Sequence, residues 1–269
     1  MSYDGRRIVV TGGGGAGMGA ALVTEAIAQG AEVHVLDRKE PPVAVASHQD
    51  VDLTDPDAMA AAVDTIGGSI DALFNCVGVA GPPVVSELVT MLVNFAGIRH
   101  LTELVVERMG AGGAVATITS TAGSGWQDRR NQWLELLATD GFDEAAAWCE
   151  AHPDAIATGY KPSKEAATAW TMYACNALGA RGIRINCTMP GPTDTPLLPN
   201  FKQRTGDFLD RMPIPLGRFQ TPLEQAQALL FLNSPAASGI TGTALVVDGG
   251  TMGAVSAGTV TMPELKVTT

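Results

Sequence analysis

Arg7-Ile8-Val9-Val10-Thr11-Gly12-Gly13-Gly14-Gly15-Ala16-Gly17-Met18-Gly19 is the stretch whose reading decides the fold. Its first five residues form a short, β-branched, apolar run, as a buried strand does. From Gly17 to Gln29 the pattern turns Ala-rich with helical period. Between the two lies a loop almost free of side chains. Such a loop lets backbone N–H groups approach a pyrophosphate, and the helix N-terminus behind it adds partial positive charge. Glycine clusters also arise in turns for steric reasons alone. Here strand, loop and helix come in the order that phosphate binding needs, so Gly12, Gly13, Gly17, Met18 and Gly19 are candidate cofactor residues.

The same alternation continues outward. Strands are expected at Arg7–Thr11, Glu32–Leu36, Ala72–Cys76, Ala114–Thr119, Ile183–Cys187 and Ala244–Val247. Helices are expected at Gly17–Gln29, Pro56–Ile66, Val84–Met109, Gly159–Leu178 and Pro222–Leu232. Strands that read as continuous apolar runs are buried on both faces, which implies a parallel, doubly wound sheet covered by helices. No repeat, linker or composition break divides residues 1–269, so one domain is expected. Two segments break the rhythm. Ala122–Ala157 carries Trp126, Trp133 and Trp148, and Pro196–Phe219 carries four prolines. Long segments of this kind are usually functional or partly helical themselves.

Composition narrows the partners. Lys plus Arg is 17 against 28 Asp plus Glu, a net charge of −11, which argues against nucleic acid or an anionic membrane surface. No window reads as a membrane span or signal peptide, and Cys76, Cys149, Cys175 and Cys187 are scattered without a metal-binding pattern. A cytoplasmic, reduced protein without a metal is expected.

Asp37 ends the second strand at a distance from the loop that suits hydrogen bonds to the adenosine ribose. A carboxylate there repels the extra phosphate of NADP and favours NAD, although Arg38 and Lys39 beside it can tolerate that phosphate. Tyr160 and Lys164 share a helical face, being four residues apart. Hydride transfer to or from a carbonyl carbon needs a proton at its oxygen. A phenol supplies one near neutral pH when an ammonium stabilises its anion. Ser120, at a strand's carboxyl edge, is placed to hold the substrate oxygen.

Thr11–Gly19, Asp37, Asn75-Cys76-Val77-Gly78, Asn94, Ser120, Tyr160, Lys164 and Pro190-Gly191-Pro192-Thr193-Asp194-Thr195 together resemble the short-chain dehydrogenase/reductase family, in the family's order from Arg7 to Gly250. The 3-alpha-hydroxysteroid dehydrogenase/carbonyl reductase group is the most similar, through Pro190–Leu198, the insertion after Ser120, and Ser234–Ser238 leading to Val247-Asp248-Gly249-Gly250. The resemblance implies Tyr160 as acid/base, Lys164 as its pKa modulator and ribose ligand, and Ser120 as the substrate-oxygen partner. It implies that Asn94 holds a water in a proton relay to Lys164. Asp52 and Leu53 then contact adenine, Thr193 and Thr195 lie near the nicotinamide carboxamide, and Asn75, Gly78, Pro190 and Gly191 line the cofactor. Three departures stand out. The glycine loop is one residue longer than usual, which leaves open the job of each of Gly12 to Gly15. Asn75-Cys76-Val77-Gly78 replaces Asn-Asn-Ala-Gly. The span from Ser120 to Tyr160 is long.

The expectation is therefore a single Rossmann-type domain with a helical insertion (122–157) before the catalytic helix and a substrate lid (196–219). It is an NAD-dependent oxidoreductase of a hydrophobic secondary alcohol or ketone, such as a hydroxysteroid or cyclic carbonyl compound. The alternative is a catalytically silent NAD-binding sensor of the same fold. Leu197, Leu198, Phe201, Phe208, Leu209 and Met212 suit either an apolar substrate or simple packing of the lid. A homo-oligomer is expected, a dimer in preference to a tetramer. If the insertion folds over the two long helices it blocks that face and favours a dimer built elsewhere; if it lies aside, a tetramer.

Overall fold

Ile8, Val9 and Val10 are wholly buried, so the first strand lies at the middle of the molecule. The computed structural model describes residues 2–264. Seven parallel strands form one sheet: β1 (Arg7–Thr11), β2 (Glu32–Leu36), β3 (Ser47–Gln49), β4 (Ala72–Asn75), β5 (Ala114–Ile118), β6 (Arg184–Pro190) and β7 (Ala244–Val247). Their order is β3-β2-β1-β4-β5-β6-β7. The order reverses between β1 and β4, and open sheets bind ligands in the crevice outside such a switch point.

The sheet separates two cores, as the two-residue period of strands requires. Val9, Leu73 and Val115 face one side, with Met59, Phe95, Leu101 and Trp170. Ile8, Val10, Phe74 and Ile118 face the other, with Leu22, Val23, Leu229 and Leu230. The covering helices are α1 (Met18–Ala28), α2 (Pro56–Ile66), α3 (Glu87–Val106), α4 (Arg130–Leu137), α5 (Gly141–Ala151), α6 (Tyr160–Ala180), α7 (Leu198–Thr205) and α8 (Pro222–Asn233). Thr221 and Glu224 form the capping box that starts α8.

Three sequence expectations are corrected. β3 is additional: three polar, half-buried residues on the sheet edge carry no apolar run to betray them. The helix expected over Val84–Met109 contains a π-helical turn, Leu92–Gly97, around Asn94. α3 is also long and apolar enough to cross a membrane by length and composition, but 67% of its apolar window is buried inside the fold. It is a core helix.

The insertion folds over the face formed by α3 and α6. Trp133, Leu136, Phe142, Ala145 and Cys149 join the core of Phe95, Leu101 and Trp170. Arg129 ties it to α6 through the buried carboxylate of Glu165 (3.2 Å) and stacks its guanidinium over Trp133, 4.5 Å from the ring centroid. Arg99 of α3 donates to the Thr139 hydroxyl at 3.1 Å.

Candidate active site

The glycine loop crosses the carboxyl end of β1. Gly12 has φ +69°, and a Cβ there would stand 2.4 Å from the Val77 nitrogen. Gly13 is turned inward against Val23 and Val35, and Gly19 backs onto the Gly12 carbonyl. Within the lengthened loop, Gly14 is held by the acid that follows β2. Its N–H donates to Asp37 Oδ2 (2.8 Å), while Asp37 Oδ1 accepts from the Lys39 N–H (2.8 Å). A Cβ on Gly14 would meet the Lys39 carbonyl at 2.1 Å. The longer loop is thus tied to the acid at the end of β2. Gly17, at the N-cap of α1, meets nothing within 4 Å and leaves open space before the helix, with Met18 opening the first turn.

Asp52 accepts from the Thr54 amide (2.9 Å) and hydroxyl (2.8 Å), which holds its carboxyl below the usual carboxylate range. Its other oxygen pairs with Arg38 at 3.5 Å. Leu53 is buried in the core and its carbonyl lies against Gly97. Asn75 is also wholly buried. Its amide nitrogen donates to the Thr102 (2.9 Å) and Thr117 (3.3 Å) hydroxyls and so pins the end of β4.

Ser120 follows β5, and its hydroxyl accepts from the Ala122 amide at 3.1 Å. Tyr160 opens α6 after a turn in which Thr158 (φ +72°) and Gly159 (φ +63°) both take left-handed conformations. Ser120 and Tyr160 are brought together, close enough for the serine hydroxyl to act on the phenol. Burial pushes the Tyr160 phenol above its ordinary pKa, and the Ser120 hydroxyl and the Arg204 charge oppose it.

Lys164 is 3% exposed, with Nζ donating to the Ile118 carbonyl at 2.9 Å and standing 5.8 Å from the Tyr160 ring centroid. Burial pulls its pKa down to about 8. Two cations thus flank the phenol, Lys164 from its own helix, with Nζ turned onto Ile118, and Arg204 from the lid.

Asn94 projects from the π-helical turn. Its Oδ1 accepts from the Val79 amide (2.8 Å), and its Nδ2 donates to the Val79 carbonyl (3.0 Å) and the Ser163 hydroxyl (3.1 Å). Both amide atoms are spent on locking the β4–α3 connection to α6. A Cβ at Gly78 would come 3.4 Å from Asn94 Oδ1 and 3.6 Å from Lys164 Nζ.

At the end of β6, the Pro190 carbonyl accepts from the Thr121 hydroxyl (3.3 Å), and Gly191 packs on Asp248, 2.7 Å from where a Cβ would stand. Thr193 donates to the Gly191 carbonyl (3.0 Å) and accepts from Gln225 (3.2 Å). The Thr195 carbonyl accepts from the Leu198 amide at 3.0 Å as α7 begins. From α7, Phe201 packs edge-on to Tyr160 at 4.9 Å between centroids, and Arg204 lies 5.9 Å from the same ring. Sequence reasoning missed Arg204. The one available signal was its i+3 spacing from Phe201, which sets the two on one helical face.

Ser, Tyr and Lys at the carboxyl edge of a parallel sheet, beside a glycine loop at its switch point, can move a proton on and off a substrate oxygen. The family model described as short chain dehydrogenase matches residues 6–130, and that described as enoyl-(acyl carrier protein) reductase matches 152–252. A coniferyl-alcohol dehydrogenase of a Pseudomonas species is 31% identical over 257 residues, covering 93% of this chain and 98% of that protein. This chain belongs to the short-chain dehydrogenase/reductase family. Among other short-chain dehydrogenases, the 3-alpha-hydroxysteroid dehydrogenase/carbonyl reductase of Comamonas testosteroni is 30% identical, over 90% of this chain and 95% of that one. The crystal structure of the 3-alpha-hydroxysteroid dehydrogenase from Pseudomonas sp. B-0831, complexed with NADH, superposes with a TM-score of 0.78 at 30% identity, over 95% of this chain and all of that one. The chain is an oxidoreductase of the short-chain type, acting on alcohols or ketones and using a nicotinamide cofactor.

Proposed function

We propose that this short-chain dehydrogenase uses NAD to interconvert a hydrophobic secondary alcohol, of the hydroxysteroid or cyclic-alcohol kind, and its ketone. The observation that carries the reading is the meeting of Ser120, Lys164 and the lid's Phe201 around the Tyr160 ring, with Lys164 Nζ at 5.8 Å and Phe201 at 4.9 Å from its centroid. The cofactor fits what the residues offer. Gly17 leaves open space at the N-terminus of α1 for a pyrophosphate, and the Asp37 carboxylate, fixed by two amides, keeps lone pairs for ribose hydroxyls. When bound, NAD supplies the hydride acceptor and NADH the donor.

The protein's part is the oxygen. Ser120 holds it, and Tyr160 takes its proton in oxidation or returns it in reduction. Lys164 is the cation nearest below. Asn94 contributes by fixing the segment that carries Gly78 beside Lys164. NAD is favoured because a 2′-phosphate beside Asp37 meets like charge, and Arg38 is engaged by Asp52. Two relatives support the substrate class, the Comamonas enzyme by its name and the Pseudomonas structure by its NADH as well.

The test is a panel of steroid, cyclic and acyclic alcohols and ketones, with NADH absorbance followed in both directions and each cofactor compared. Activity restricted to polar polyols, or kcat/KM favouring NADP, overturns the reading. Asp37→Ala narrows the preference for NAD. Assembly follows the same logic: with the insertion over α3 and α6, we infer a dimer through another surface, and light scattering that finds a tetramer joined by those helices refutes it.

A further inference from the structure

Arg204 makes contacts that no other lid residue makes. Its Nη1 donates to the Ala80 carbonyl at 3.1 Å and its Nη2 to the Thr158 carbonyl at 3.2 Å. These carbonyls belong to two abutting segments: a Cβ on Gly81 would stand 3.4 Å from the Tyr160 nitrogen and 3.5 Å from the Thr158 oxygen. Thr158 also receives the Tyr160 N–H at 2.7 Å, and it is the one non-glycine residue with positive φ among the described residues. A backbone held in that region at some cost is typical of a turn whose surroundings fix it. Here it presents a carbonyl to the lid.

We propose that Arg204 is a positioning residue: it bolts the lid to the β4–α3 connection and to the turn before α6, and so sets a cation against the Tyr160 ring only while the lid is shut. The inference rests on the reading of Tyr160 as the acid/base given above. One side chain thereby couples lid closure to proton transfer.

The surroundings support it. The charged groups around the phenol are Lys164 on its own helix, turned to the Ile118 carbonyl, and Arg204 from the lid. Glu87, at the start of α3, acts on Arg204. The neighbouring Lys161 is turned to Glu165 and Lys202 to Asp210, so neither competes. A cation near a phenol favours the phenolate, and burial raises the weight of that charge. With the lid open, the guanidinium leaves for water and the phenol loses that support.

Arg204→Met and Arg204→Lys test this in the full-length enzyme. The Tyr160 phenolate is followed by ultraviolet absorbance titration, as the difference between each protein and its own Tyr160→Phe version, without substrate. Arg204→Met is expected to move that titration, and the rising limb of the kcat/KM profile for alcohol oxidation, upward by about one pH unit or more. Arg204→Lys keeps the charge and is expected to shift both by much less. Chymotrypsin, which cuts at lid aromatics such as Phe201 and Phe208, is expected to nick Arg204→Met at least several-fold faster than wild type. A melting curve matching wild type excludes general unfolding. An unmoved titration or unchanged lid cleavage in Arg204→Met overturns the proposal, as does a shift in Arg204→Lys as large as in Arg204→Met. If Tyr160→Phe turns over normally, the acid/base reading itself fails; if it is inactive while the Arg204 variants behave as wild type, only this inference does.

Discussion

The insertion and the lid are both additions to the same sheet, one following β5 and the other β6, and they are built in opposite ways. The insertion is anchored by apolar burial: Trp133, Leu136 and Ala145 have no exposed surface and belong to a core shared with α3 and α6. No residue of α7 in the lid is fully buried. Two side chains, Phe201 and Arg204, make its contacts with the Tyr160 ring. Regions with few buried apolar contacts open at low free-energy cost, whereas core elements open only with the whole molecule. The difference teaches that the chain devotes hydrophobic area to supporting the catalytic helix and leaves the substrate side loosely latched.

Tyr160 is where the two additions converge, and its removal has the largest expected effect. Tyr160→Phe lowers kcat by about 10²- to 10⁴-fold, the usual share of a general acid or base. The dissociation constant for NADH, measured by fluorescence, stays near wild type. Should cofactor affinity fall with kcat, the ring is a structural prop and the contrast between support and chemistry dissolves.

Next comes the insertion. Trp133→Ala removes a fully buried indole and costs about 3–5 kcal/mol in denaturant unfolding. Trp133→Phe costs far less, because the indole Nε1 has no hydrogen-bond partner to lose. A small effect of Trp133→Ala contradicts the claim that the insertion is part of the core.

Lys164 gives a prediction with a sign. Its folded pKa of about 8 lies below the ordinary value of 10.5, so between these limits the unfolded chain binds more protons and stability rises with pH. Below pH ~8 the full penalty, about 3 kcal/mol, applies. Lys164→Met therefore melts higher than wild type at pH 7, and this gain fades as pH climbs from 8 to 10.5. A variant that is less stable at every pH would mean the bond to the Ile118 carbonyl outweighs the buried charge.

The smallest effect belongs to the lid. Phe201→Ala changes unfolding free energy by no more than about 1 kcal/mol, since its side chain is only half-buried. KM for an apolar alcohol rises several-fold. A large loss of stability would show that the lid is built like the insertion after all.

The strands β1, β2 and β7 were legible to the residue, because β-branched runs between turn signals leave little choice. Ser120, Tyr160, Lys164 and Asp37 were legible too, each at a strand or helix end where the pattern changes. What escaped was of two kinds. The π-helical turn at Leu92–Gly97 inserts its extra residue into an apolar helical run, and periodicity over a whole helix barely registers one residue. Side-chain commitments escaped as well. The Asn75 amide nitrogen bonds Thr102 and Thr117, and both amide atoms of Asn94 bond Val79 and Ser163, partners 15 to 69 residues away in sequence. The lengthened loop was visible, but the bond from Gly14 to Asp37 depends on how the chain beyond β2 curls back. Arg204 belongs to no motif; only the folded lid brings it to Thr158.

Covering α6 with residues of the same polypeptide has a thermodynamic corollary. A face buried by a second subunit is protected only to the extent that subunits are associated, and dilution exposes it by mass action. Trp133, Leu136 and Phe142 are covalently attached to the helix they cover, so their effective concentration is set by the loops and not by the amount of protein present. The support of Tyr160 and Lys164 by this face is therefore a property of one chain, constant from a concentrated stock to the most dilute assay.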